Sequence, residues 1–150
     1  MQTSDSIVII PTYNERENIE NIIRAVFALE HGFHILVIED GSPDGTAAIV
    51  KDLQREFPHR LFMVERKGKL GLGTAYIAGF KWALQRDYQY IFEMDADFSQ
   101  SMAPRITETY RFGSPRYSIT VGVICSSSRI SWTTILFFGQ SAPTVFYYAH

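Results

Sequence analysis

The chain has 150 residues, enough for one domain with a real core, and its 46% hydrophobic and 14% aromatic content excludes a disordered polymer. A formal net charge of -2, with no run of Lys or Arg, excludes an electrostatically driven nucleic-acid binder. Cys125 is the sole cysteine, so no disulfide forms within the chain, and a lone thiol fits a reducing compartment. The start MQTSDSIVII lacks the basic and apolar regions of a signal peptide, and no run of 18 apolar residues is present to form a transmembrane helix. These features predict a cytoplasmic location.

The elements alternate. Ile7–Ile10 is an apolar run closed by Pro11 and predicts a buried strand. Asn14 predicts a helix cap, with Glu17 completing a capping box, and Ile19, Ile22, Ile23, Val26 and Phe27 then recur at helical spacing until Gly32. His34–Glu39 predicts the second strand, followed by the acidic glycine turn Asp40–Thr46, in which Asp44 reads as a turn residue or helix cap. Ile49, Val50, Leu53 and Phe57 mark a second helix stopped by Pro58. Leu61–Glu65 predicts a third strand, and a basic glycine loop runs from Arg66 to Gly73. A third helix follows from Thr74 to Arg86, with Tyr76, Ile77, Phe80 and Leu84 as packing residues. Tyr90–Met94 predicts a fourth strand. His31, His34 and His59 have no ligand or base spacing and read as surface or helix-edge residues.

This order predicts an α/β fold with three α/β/α layers and a mostly parallel sheet, its strands near 7–10, 35–39, 61–64 and 90–94 lying parallel. The unusual polar groups all fall just after strands, where open α/β sheets bind ligands. The fourth strand runs straight into Asp95-Ala96-Asp97. Two carboxylates this close repel unless a cation or donors compensate, and a hard ion such as Mg²⁺ or Mn²⁺ takes such oxygens together with phosphate. The bland alternative is a polar turn. The dinucleotide fingerprint is absent, because the first strand is followed by PTYNE and position 76 after Gly71 and Gly73 is Tyr; no phosphate-loop Gly-Lys-Ser/Thr occurs either.

PTYNE at 11–15, VIEDGSPDGT at 37–46, RKGKLGLGTAYIAGF at 66–80 and EMDADFS at 93–99 together resemble family 2 glycosyltransferases of the GT-A fold. The resemblance is greatest to the dolichol-phosphate (polyprenol-phosphate) mannosyltransferase group and covers about residues 7–100. It implies that Pro11, Tyr13, Glu15 and Asp40 line a nucleoside pocket, and that Asp95 and Asp97 hold Mg²⁺ or Mn²⁺ against the donor diphosphate. Some members carry a Gln two residues past the second Asp; here Ser99 stands there. Arg66 and Lys69 are the cations nearest this site in sequence and can meet donor or acceptor phosphate; Lys67 reads as a solvated residue, and Glu93 as structural. The implied reaction moves a hexose, mannose before others, from a nucleotide sugar (GDP-mannose, with UDP-glucose as the alternative) to a polyprenyl phosphate at a membrane surface. Such a chain would be peripheral to the cytoplasmic membrane face. A lipid monophosphate is largely ionised at neutral pH, with a second pKa of about 6, so it needs little help from a base.

The chain reads as one domain, 1–150, with a nucleotide-sugar half at 1–100 and a partial or atypical acceptor half at 101–150. The resemblance implies an Asn-Pro helix and then a strand leading to Gly-Ser-Arg. Pro104 matches the first loosely, Tyr117–Ile124 is strand-like, and Ser128-Arg129 follows with no role assigned. The serine run and scattered aromatics predict a truncated or altered C-terminus. Three alternatives to lipid-phosphate transfer stand: a donor-binding but inactive fragment, transfer to a saccharide hydroxyl, and a nucleotidyltransferase. The last needs a glycine-rich loop after the first strand, which Pro11–Glu15 is not.

Overall fold

The computed structural model describes residues 4–30, 32–86, 88–94, 96, 105–114 and 117–125. In chain order the elements are β1 (Ser6–Thr12), α1 (Ile19–Phe27), β2 (His34–Glu39), α2 (Thr46–Glu56), β3 (Leu61–Glu65), α3 (Leu72–Leu84), β4 (Tyr90–Glu93), β5 (Arg105–Ser114) and β6 (Tyr117–Cys125). The strands form one sheet in the order β3-β2-β1-β4-β6-β5. β1 to β4 are parallel, as the alternation predicts, and β6 joins β4 in the same direction.

Successive side chains of a strand face opposite sides, so a strand apolar at every position is buried on both. In β1, Val8 and Ile10 pack with Ile19, Ile22, Ile23 and Val26 of α1 and Val50 and Leu53 of α2. Ile7 and Ile9 face the other way, against Ala75, Tyr76, Phe80 and Ala83 of α3. That makes the three layers. The helix α3 lies very close to β1: a Cβ placed on Gly79 would stand 2.6 Å from Cγ2 of Ile9. Glycine is what permits that approach.

Four expectations change. The helix α1 begins at Ile19, not at Asn14, and no capping box forms. Asn14 instead takes φ 59, and its loop is turned toward the one after β2. Leu84 is 38% exposed, because in the last turn of α3 it is Ala83 that faces the sheet. Residues 105–114 form β5, an antiparallel edge strand beside β6 where the resemblance loosely implied a helix. The strand-like reading of Tyr117–Ile124 holds as β6. The C-terminal expectations, Arg129 among them, lie outside the described residues.

The fourth change concerns His34, which is 8% exposed and not a surface residue. Its Nδ1 shares a 2.7 Å hydrogen bond with the Tyr88 hydroxyl, and Phe62 and Tyr88 meet its ring edge-on. Among the described residues its Nε2 has no hydrogen-bond partner. Burial, and then the nearby Arg60 charge, hold its pKa below the usual value. The folded state therefore favours neutral imidazole, whereas the unfolded chain takes up a proton as pH falls through about 6.5. His34 thus contributes stability that is complete above that pH and lost below it, toward the lowered folded value. Thermal melting from pH 8 to pH 5 should show a fall below pH 6.5 that His34→Gln reduces; equal curves for both proteins would remove His34 as the cause.

Candidate functional site

The sheet reverses direction of build at β1: β2 and β3 lie to one side, β4 to the other. Such a switch point opens a crevice beyond the carboxyl ends of the strands. Tyr13–Glu15 leave β1 on one side of it. Met94 leaves β4 on the other, its N–H donating to Ile9 O at 3.1 Å. Asp95 and Asp97 follow Met94 and lie outside the described residues; Ala96 between them is buried.

The first wall is a seam between two loops. Three consecutive backbone amides after β1 donate to side chains after β2: Asn14 N–H to Ser42 Oγ at 3.0 Å, Glu15 N–H to Thr46 Oγ1 at 3.1 Å, and Arg16 N–H to Asp44 Oδ2 at 3.0 Å. These donors have no strand or helix partner, so the seam satisfies groups that would otherwise need water. Asp44 also accepts from the Thr46 amide at 3.0 Å and hydroxyl at 2.7 Å. Partial burial pushes its carboxyl up, but the bonds from Thr46 and the Arg16 amide outweigh that and hold it below the usual carboxylate range. Glu39, 2% exposed, accepts from the Gly41 and Ser42 amides at 2.9 and 2.7 Å and so folds the second loop from beneath.

The second wall comes from the loop after β3. Arg66 grips Asp40 with two parallel bonds, Nε to Oδ1 at 2.5 Å and Nη2 to Oδ2 at 2.6 Å. The two side chains are only 11% and 8% exposed. The guanidinium also donates to Thr74 Oγ1 at 2.9 Å, and the Thr74 hydroxyl lies 2.8 Å from the Gly71 carbonyl. Gly41 permits the loops to meet: it has φ +68, and a Cβ there would stand 3.2 Å from Cα of Gly68. Lys69 reaches across to β1's loop, its Nζ 4.7 Å from the centre of the Tyr13 ring.

Pro11, Tyr13, Glu15, Asp40, Arg66 and Lys69 therefore all gather at one edge of the sheet. Pro11 is buried at the end of β1, Tyr13 and Glu15 are half-buried, and Lys69 is exposed. Direct contacts join Asp40 to Arg66 and Tyr13 to Lys69. The Glu15 carboxylate accepts from Asn18 Nδ2 at 3.2 Å. Glu39, Ser42, Thr46 and Thr74 complete the framework without standing out in the sequence pattern. Glu39 carried one signal: an acid closing a strand buried on both faces must be hydrogen-bonded.

The arrangement suits a nucleotide. A carboxylate has about four lone-pair directions, and Arg66 takes two of those on Asp40, which leaves acceptors for hydroxyl or base N–H groups. Arg66 has five N–H donors and keeps at least one beyond its bonds to Asp40 and Thr74. The donor set at 95 and 97 is two hard oxygens, which fits Mg²⁺ or Mn²⁺ and not a soft metal. Among the described residues no three His, Cys, Asp or Glu side chains converge on another metal site.

The sequence profile of glycosyl transferase family 2 matches residues 7–128. Polyprenol monophosphomannose synthase of Mycolicibacterium smegmatis is 50% identical over 99 residues, which are 66% of this chain and 37% of that protein. Undecaprenyl-phosphate mannosyltransferase of Micrococcus luteus is 40% identical over 107 residues, 70% of this chain and 44% of that protein. The chain thus spans less than half the length of these two relatives. Among solved structures, the mannosyltransferase PcManGT of Pyrobaculum calidifontis, in complex with GDP-Man and Mn²⁺, superposes with a TM-score of 0.50 at 25% identity, over 55% of this chain and 25% of that one.

Proposed function

Because the chain belongs to glycosyl transferase family 2, we propose that it binds a nucleoside-diphosphate sugar in the crevice beside β1 and serves transfer of a mannosyl group to a polyprenyl phosphate. The observation that carries this reading is the buried Asp40–Arg66 pair at the switch point, flanked by Tyr13 and by the exit toward Asp95. In this reading Asp40 accepts from the nucleoside, Tyr13 packs beside it, and Pro11 and Glu15 shape the pocket floor and rim. Arg66 orients Asp40 through its two parallel bonds and offers its remaining N–H to a phosphate oxygen. Lys69, poised over Tyr13, supplies charge to donor or acceptor phosphate.

Asp95 and Asp97 would hold Mg²⁺ or Mn²⁺, and a metal so placed neutralises charge on the departing diphosphate. The acceptor phosphate is already an anion, so the residues need only orient it and exclude water. Two relatives named for transfer to polyprenyl phosphates, and a neighbour holding GDP-Man, favour mannose and GDP over glucose and UDP. No helix among the described residues is long and apolar enough to cross a membrane.

Calorimetry with GDP-mannose and UDP-glucose, each with Mn²⁺ and with chelator, tests the donor site. GDP-mannose should bind, and should need metal. Equal affinity with metal chelated would end the metal assignment, and no binding of either sugar would end the reading. A second reading, donor binding without turnover, is favoured by the chain's spanning 37% and 44% of the two relatives. Transfer to a short polyprenyl phosphate should then be far slower than in a full-length relative; equal rates would discard it.

A further inference from the structure

The loop that carries Arg66 has an outer side that the donor reading does not use. Leu70 and Leu72 are 61% and 48% exposed, the two most exposed large apolar side chains among the described residues up to Ala96. Single exposed leucines are ordinary, but here two stand either side of Gly71, whose φ of +96 bends the backbone between them. Lys67 and Lys69 are exposed on the same short loop. From Arg66 to Arg86 the sequence has five basic residues and no Asp or Glu, against a chain whose net charge is -2. The loop is therefore a local basic and apolar tip on an otherwise slightly acidic protein.

We infer that the Lys67–Leu72 tip docks on an anionic lipid surface, with Leu70 and Leu72 entering the headgroup boundary and Lys67 meeting lipid phosphates. Charge complementarity selects this occupant: exposed Lys67 beside two leucines, in a stretch without Asp or Glu, suits an anionic interface, and an acidic or purely apolar partner would use only half of the tip. The tip is tied to the crevice, since Arg66 bonds Asp40 and the Lys69 ammonium lies over Tyr13. Docking there turns the site toward the membrane plane. The benefit to catalysis rests on the lipid-phosphate acceptor proposed above, but the surface itself does not.

Co-sedimentation of the 150-residue chain with phosphatidylcholine vesicles, with and without added phosphatidylglycerol and without polyprenyl phosphate, tests it. Partition onto the anionic vesicles should be about tenfold higher and should fall with added salt. Leu70→Ser/Leu72→Ser should reduce it about tenfold, and Lys67→Gln about fivefold. Equal partition onto both vesicle types would overturn the inference. So would unchanged partition in both variants, which would assign the binding to another part of the chain. GDP-mannose affinity measured without vesicles separates the two readings: its loss with partition intact defeats the donor reading alone, and the reverse defeats the docking tip alone.

Discussion

Arg66→Met should lower the stability of the chain by about 3 kcal/mol, read as a shift in urea midpoint with an unchanged slope. The pair it breaks is bidentate and nearly buried, with Asp40 at 5% exposure. Exposed ion pairs are worth at most about 1 kcal/mol, because water replaces the lost partner. Here a carboxylate loses its compensating charge while its surroundings stay closed. The substitution also removes the donor to Thr74 and so releases the glycine loop that leads into α3. A control separates the pair from the packing of the long side chain: Asp40→Asn/Arg66→Met should recover much of the loss, since it leaves no orphaned charge. If Arg66→Met stays within about 1 kcal/mol of the parent, the pair behaves as a solvated surface contact and its framework role is wrong.

The sheet was readable because its signals are local. Each of the four parallel strands is a short apolar run that gives way to polar loop residues, although β1 runs through Pro11 to Thr12 where the sequence predicts a stop at Pro11, and each helix shows its own periodicity. The gathering of Tyr13, Asp40 and Arg66 followed from the topology alone, since parallel strands put all their following loops at one edge. What escaped is the bonding that spans loops. The amides of Asn14, Glu15 and Arg16 find partners 28 to 31 residues away, and no periodicity reports such pairs. The same contacts explain why Asn14 failed as a helix cap: its loop is held in a left-handed turn, where Asn is tolerated, by Ser42. His34 misled for a different reason. A histidine at the start of a strand ordinarily faces water, but Tyr88 arrives from just before β4 to cover it. β5 is legible in principle, since RITETYRFGS is rich in strand formers, and its local propensity outweighs the helix that the family pattern implies.

Asp97→Asn should cut metal-dependent donor turnover on the order of 100-fold, the scale of losing several kcal/mol of charge stabilisation. The substitution preserves volume and one carbonyl oxygen, so it changes charge more than shape. If Asp95 and Asp97 were only a polar turn, neutralising one would relieve repulsion and alter little else. If they hold a cation, the two states of the protein part company. In chelator the variant should melt at the parent's temperature or slightly above it, because two adjacent carboxylates no longer repel. With Mn²⁺ and GDP present, the parent should gain stability in proportion to the logarithm of ligand concentration, and the variant should gain little. Melting needs no acceptor and no turnover, so it reads the metal role even if residues beyond this chain are required for transfer. An identical rise with Mn²⁺ and GDP in both proteins would remove Asp97 as a metal ligand, whatever happens to the rate.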